Sequence, residues 1–233
     1  MPQRVLITGA NRGLGLAFVR HCLRRGDLVL ATCRHPERAT ELQALLEEFP
    51  ARLQLATLDV TDADAIDRFV SNLPTEFDAL DLLVNNAGVL PSGERFGQVS
   101  ATSLETAFRT NALGPFLLSQ ASASRLARGH RAIVLNISTV LASIAAVGEF
   151  RSASYAISKA ALNMVGALLG QALADQGVRV VNLHPGWLRT SMGGEHAPLA
   201  PEAAVTKMMA TLERLPADCR GGFFDADGAP LPW

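Results

Sequence analysis

A change of pattern within the first 25 residues constrains this chain most. Arg4-Val-Leu-Ile-Thr8 is a short apolar run of the kind that forms a strand buried on both faces. Thr8-Gly9-Ala-Asn-Arg-Gly13-Leu-Gly15 follows at once, and Leu16 to Arg25 then carries apolar residues at helical spacing. Strand, glycine loop and helix in that order form one half of a crossover unit whose helix N-terminus suits a diphosphate. Gly9 permits the tight turn, Gly13 the approach to the pyrophosphate, and Gly15 the close packing of helix on strand. The spacing is GxxxGxG rather than GxGxxG.

The alternation continues along the chain. Strands are predicted over Asp27–Thr32, Leu53–Leu58, Asp81–Val84, Ala132–Ile137, Val178–Leu183 and, briefly, Gly222–Phe224. Helices are predicted over Pro36–Phe49, Asp62–Leu73 (with Thr61 or Asp62 as cap), Ala101–Arg128, Arg151–Asp175 and Pro201–Leu215. Strands alternating with helices imply a doubly wound α/β Rossmann fold, with a seven-stranded parallel sheet, helices on both faces and right-handed crossovers. The 233 residues, 48% of them apolar, suffice for one domain over 1–233 with a large core. In the helix over 101–128, Asn111 and Pro115 predict a kink that would free a carbonyl for a water.

Net charge is −1 with the two signs mixed along the chain, which argues against nucleic acid or an anionic membrane as partner. Cys22, Cys33 and Cys219 form no CxxC pair and read as reduced, implying a cytoplasmic protein. The five histidines lack ligand spacing, so no metal is expected. The apolar run after Arg4 is too short for a signal peptide or a membrane span.

Two sites of chemistry stand out. In NAD-binding folds an acidic residue about 20 positions beyond the glycines holds the ribose 2′-hydroxyl, and an arginine there suits a 2′-phosphate. Here that place reads Thr32-Cys33-Arg34-His35, and Arg12 in the glycine loop is a second cation. Two guanidiniums and no carboxylate favour NADPH, with an NAD-linked enzyme as the weaker alternative. The second site is Tyr155-Ala-Ile-Ser-Lys159, whose i, i+4 spacing on a helix sets a phenol beside an ammonium. A positive charge about 4 Å away is worth on the order of 4 kcal/mol at an effective dielectric near 20, enough to bring a phenol from about 10 to roughly 7.

Thr8-Gly-Ala-Asn-Arg-Gly-Leu-Gly15, Asn85-Asn-Ala-Gly88, Asn111, Ser138, Tyr155-x-x-x-Lys159 and Pro185-Gly186 occur in order, most of them at strand ends. With these motifs the sequence resembles the short-chain dehydrogenase/reductase family over essentially its whole length. Ala31-Thr-Cys-Arg34, His184-Pro-Gly-Trp-Leu-Arg-Thr-Ser-Met-Gly-Gly194 and Phe224-Asp-Ala-Asp-Gly-Ala-Pro-Leu-Pro-Trp233 make it look most like the Sniffer and C-factor kind of carbonyl reductase.

The resemblance implies that Tyr155 donates a proton to a substrate carbonyl oxygen and Ser138 polarises the same oxygen. Lys159 lowers the phenol pKa and holds the nicotinamide ribose, Asn111 positions a water in a proton relay, and Thr190 fixes the carboxamide. It further implies an NADP(H) site built from Gly9, Asn11, Arg12, Gly13, Leu14, Gly15, Arg34, Asp59, Val60, Asn86, Ala87, Gly88, Tyr155, Lys159, Pro185, Gly186, Trp187 and Thr190. The interval from Ser138 to Tyr155 is longer than in most of the family. Residues 187–200 form a short lid, and Glu149, Phe150 and Arg151 are candidates for the pocket rim.

The expected function is therefore NADPH-dependent reduction of a ketone or aldehyde, with a small-molecule carbonyl as partner. A C-factor-like signalling or scaffold protein that binds the dinucleotide is the alternative; NADPH consumption against a carbonyl panel separates the two. No charge occurs between Arg109 and Arg125 or between Lys159 and Asp175. Helices so poor in charge predict a homodimer or homotetramer through the segments 101–128 and 151–175.

Overall fold

The computed structural model describes residues 2–216 and 218–233. Its seven strands are β1 (Arg4–Thr8), β2 (Leu28–Cys33), β3 (Leu53–Thr57), β4 (Leu82–Asn85), β5 (Ile133–Ile137), β6 (Arg179–His184) and β7 (Arg220–Asp225). They form one sheet, ordered β3-β2-β1-β4-β5-β6-β7, with every neighbouring pair parallel. The strand order reverses between β1 and β4, and crevices for ligands open at the carboxyl edge of such a reversal.

Helices cover both faces. On one lie α1 (Gly13–Arg25), α2 (Thr40–Glu48) and α8 (Pro201–Arg214), packed on Val5, Ile7, Val29 and Leu183. On the other lie α3 (Ala63–Ser71), α4 (Ala101–Phe108), α5 (Gly114–Ala121), α6 (Ala123–Ala127) and α7 (Ala153–Ala172), over Leu6, Leu83, Val134 and Val180. Successive strand residues thus feed the two cores in turn, as side-chain alternation requires. Asp62 caps α3 by accepting the Ala65 N–H at 3.0 Å.

The single long helix expected over 101–128 is not formed. It is divided into α4, a π-turn at Arg109–Leu113, α5 and α6. The cause is the one read from the sequence: the Pro115 ring removes a backbone donor and crowds the carbonyl four residues earlier, which is that of Asn111. Asn111 sits within this π-turn, a distortion common at functional sites. The segment 36–49 likewise opens as a 3-10 turn at Pro36–Arg38 before α2 begins.

Under α5 and α7 the core carries a file of asparagines. Asn85, Asn136 and Asn182 lie opposite one another on β4, β5 and β6. Asn85 donates to Asn136 at 2.9 Å, Asn136 to Asn182 at 3.0 Å, and Asn182 to the Gly221 carbonyl at 2.8 Å. Partnering these buried amides in sequence avoids the desolvation cost of each and fixes strand register. Gly166 lets α7 settle onto this file, because a Cβ there would lie 2.2 Å from the Asn182 amide oxygen.

Candidate active site

The glycine loop and the Asn86-Ala-Gly88 turn are stitched together where the strand order reverses. The Thr8 hydroxyl accepts the N–H groups of Asn86 and Ala87, each at 3.1 Å. The Asn86 amide donates to the carbonyls of Thr8 at 2.8 Å and Gly9 at 3.1 Å. A Cβ on Gly9 would come within 2.8 Å of the Ala87 backbone. Gly13 opens α1 with φ +54°, a left-handed conformation that favours glycine, and a side chain there would meet Thr190 at 3.3 Å. The glycine loop therefore faces the segment after β6, with the N-terminus of α1 directed into the space between.

Asn11 and Arg12 are exposed on this loop, while Leu14 and Gly15 are buried beneath it. Arg34 is exposed at the end of β2, and among the described residues neither Arg12 nor Arg34 forms an ion pair. Asp59 has a structural task. One of its carboxylate oxygens accepts the N–H of Thr61 at 2.9 Å and its hydroxyl at 2.7 Å, shaping the turn between β3 and α3. Val60 is buried beside it, against Gly114.

On the far side of the crevice, Tyr155 and Lys159 lie one turn apart on α7. The Lys159 ammonium is buried and donates to the Ile137 carbonyl at the end of β5, at 2.6 Å. Burial alone pushes it down to about 7. It approaches Gly88, where a Cβ would sit 3.8 Å from Nζ and 3.2 Å from the Asn111 amide oxygen. Lys159, Asn111 and the Gly88 turn thus converge on one point.

The expectation that Lys159 acidifies Tyr155 is not met in the free chain. Burial of its hydroxyl end pushes the phenol up to about 12, against a smaller downward pull from the Thr139 side chain. Lys159 lies 5.8 Å from the ring centre and its own charge is weakened in the same enclosure, so its field does not offset desolvation of the phenol.

Asn111 is buried, and its side chain is fully committed. It accepts the Val89 N–H at 2.8 Å, and donates to the Val89 carbonyl and the Ser158 hydroxyl, both at 2.9 Å. Ser158 in turn donates to the Tyr155 carbonyl at 2.8 Å. The amide therefore braces the Gly88 turn against α7. Ser138, buried at the end of β5, donates to the Asn163 amide oxygen at 2.6 Å.

Pro185 and Gly186 follow β6, with Pro185 buried. Beyond them Trp187 is exposed and donates its ring N–H to the Gly193 carbonyl at 2.7 Å. The Thr190 hydroxyl accepts the Gly193 N–H at 3.1 Å. A bridge between Leu188 and Leu199 closes the 187–200 segment into a compact loop. Of the three candidate rim residues, Glu149 and Arg151 pair with each other at 3.1 Å on the surface, whereas Phe150 meets Phe96 edge-on at 5.5 Å. Trp233 stacks on Phe223, and its main-chain oxygen accepts the Ala145 N–H at 2.8 Å, bracing the loop after β5.

Sequence reasoning missed Glu94, Thr139, Ser158 and Asn163. Ser158 and Asn163 are legible in retrospect, since both lie on α7 near the Tyr/Lys pair. Glu94 carries no local signal, because its contact lies 60 residues away.

With this geometry in place, the relatives decide the family. A model of the short chain dehydrogenases matches residues 3–198. The chain belongs to that family. It is an oxidoreductase of the short-chain dehydrogenase kind, a family that works with nicotinamide cofactors. Solved structures similar to it include the NADPH-bound carbonyl reductase from chicken fatty liver, at 33% identity and TM-score 0.93, covering 100% of this chain and 99% of that one. The carbonyl reductase Sniffer of D. melanogaster is also similar, at 33% identity, TM-score 0.94 and full coverage of both chains. The C-signal of Myxococcus xanthus is 35% identical over 154 residues, 66% of this chain and 93% of its own length. Among the described residues, no helix of this oxidoreductase is long and apolar enough to cross a membrane.

Proposed function

We propose that this short-chain dehydrogenase reduces ketone or aldehyde carbonyls to alcohols with NADPH, using Ser138, Tyr155, Lys159 and Asn111. The observation that carries the reading is Tyr155 and Lys159 one turn apart on α7, with the Lys159 amine buried at the end of β5 beside Asn111 and the Gly88 turn. A neutral phenol is an acid waiting for a base, and a carbonyl oxygen becomes that base only as its carbon is reduced.

The residues present fit the cofactor. The glycine loop packs so closely on the Asn86-Ala-Gly88 turn that Cβ atoms at Gly9 and Gly15 would collide with it, leaving the N-terminus of α1 to face a diphosphate, and the unpaired guanidiniums of Arg12 and Arg34 suit a 2′-phosphate. When bound, the nicotinamide supplies a hydride to the carbonyl carbon. Tyr155 gives its proton to the carbonyl oxygen, and Ser138 donates a hydrogen bond to the same oxygen. The developing negative charge is thus met by two hydroxyl groups. Lys159 holds the ribose and returns a proton to Tyr155. Asn111 holds the Gly88 turn and α7 in register, and the π-turn around it offers a main-chain carbonyl for the water of the proton relay. Thr190 and the backbone after Gly186 hold the carboxamide.

The named activities of the chicken and fly structures support this reading. NADPH oxidation measured against a panel of aldehydes and ketones tests it. The likeness to C-signal favours a second reading, a dinucleotide-binding signalling protein; tight NADPH binding without turnover would select it. We also infer a cytoplasmic location from the three unpaired cysteines, and a two-fold assembly through α4 and α7. Ile157, Met164 and Leu168 run along one exposed side of α7, and Phe108 is exposed on α4.

A further inference from the structure

Asn163 lies four residues after Lys159 and eight after Tyr155, on the same face of α7. It is 3% exposed. Its amide oxygen accepts a hydrogen bond from the Ser138 hydroxyl at 2.6 Å, and its amide nitrogen has no acceptor. The two ends of an amide are nearly equal in size, so a half-turn exchanges donor for acceptor.

The exchange matters to Ser138. With the oxygen inward, Ser138 gives its one proton to Asn163 and presents only lone pairs to the crevice. With the nitrogen inward, Asn163 donates to the Ser138 oxygen, and the hydroxyl proton is free to point at a carbonyl oxygen. The first state leaves two N–H groups without partners, and the second leaves one N–H and one carbonyl oxygen. Each state leaves two polar groups without partners, so the imbalance is of the same order in both and neither is locked.

We propose that Asn163 is a positioning residue that sets the direction of the Ser138 proton, turning its amide to donate to Ser138 when a carbonyl is bound. The proposal rests on the carbonyl-reductase reading. A wild-type chain without turnover of any carbonyl would overturn both, whereas wild-type turnover with indifferent variants would overturn this inference alone.

The test compares kcat and NADPH affinity for wild type, Asn163→Leu and Asn163→Asp. Leucine removes both ends of the amide and leaves the Ser138 proton undirected, so kcat should fall about ten-fold with no new pH dependence. An ionised aspartate only accepts and holds the Ser138 proton on itself. It should lower kcat by about 100-fold at alkaline pH, comparable to losing one oxyanion donor. Activity should recover as pH falls and the acid gains a proton to donate. NADPH affinity should stay within about two-fold throughout.

An Asp variant with wild-type kcat, a Leu variant slower than Asp, or a Leu variant equal to wild type would overturn the proposal. Should Asp fail to fold, Asn163→Leu in a Ser138→Ala background decides. A residue acting through Ser138 adds less than about two-fold there, and a merely structural one repeats its full effect.

Discussion

The carboxylate of Glu94 accepts the Ser154 N–H at 2.9 Å and also holds the Ser154 hydroxyl. Glu94 thereby does for α7 what an N-cap does, from 60 residues away. The residue at the cap position itself, Ser152, is left-handed at φ 46° and makes no side-chain cap. A carboxylate there satisfies one free N–H group and complements the helix dipole, one residue before Tyr155.

Glu94→Ala should therefore destabilise the fold by about 1 kcal/mol, the usual cost of a lost cap. Because α7 carries Tyr155, kcat should fall with it, while Glu94→Gln, which keeps an acceptor, should fall less. Urea denaturation and steady-state kinetics on the two variants check this; equal stability of Ala and wild type would show the contact to be idle.

Lys159 gives a pH dependence whose sign follows from its burial. Its pKa is about 7 in the folded cofactor-free chain and near its ordinary 10.5 when unfolded. Between those values the unfolded chain binds more protons, so stability rises with pH across that window. Relative to Lys159→Met, wild type should gain about 2–3 kcal/mol between pH 7 and 9, at about 1.4 kcal/mol per pH unit. Tyr155, raised to about 12, acts oppositely and only above pH 10. Denaturation of both proteins at pH 7, 8 and 9 measures the difference, and a flat difference would contradict it.

Arg34 should set cofactor choice. Arg34→Asp replaces an unpaired guanidinium with a carboxylate where a ribose 2′-group would lie, and should weaken NADPH binding about 10- to 100-fold while improving NADH. Fluorescence titration with both nucleotides reads this directly; an unchanged ratio would move the 2′-phosphate elsewhere.

The apolar side of α7 should be where two copies meet. Met164 is 61% exposed and Leu168 57%. Leu168→Glu places a charge in the proposed seam and should yield monomers at micromolar concentration in sedimentation, while wild type stays associated. A monomeric wild type would end the assembly reading.

The sheet and the helices α1, α2, α3 and α8 were legible because each strand is a short apolar run and each of these helices an amphipathic one. An irregularity at Asn111 was legible too, since proline acts on the carbonyl four residues back; it takes the form of a π-turn. The ionisation of Tyr155 was not. A sequence displays the neighbouring lysine but hides the enclosure around both groups, and burial is the larger effect. Glu94 was illegible for a related reason: its role comes from a contact with Ser154, which only the folded chain brings near.

The central claim is that Tyr155 is the proton donor in an NADPH-dependent carbonyl reduction. Turnover and NADPH affinity of Tyr155→Phe, measured beside wild type on the same carbonyl, test it most directly. A loss of kcat of about 1,000-fold or more with NADPH binding within two-fold is the predicted result, since the phenol acts in the transition state rather than in holding the cofactor. A Tyr155→Phe variant that still reduces the carbonyl at a comparable rate would contradict it.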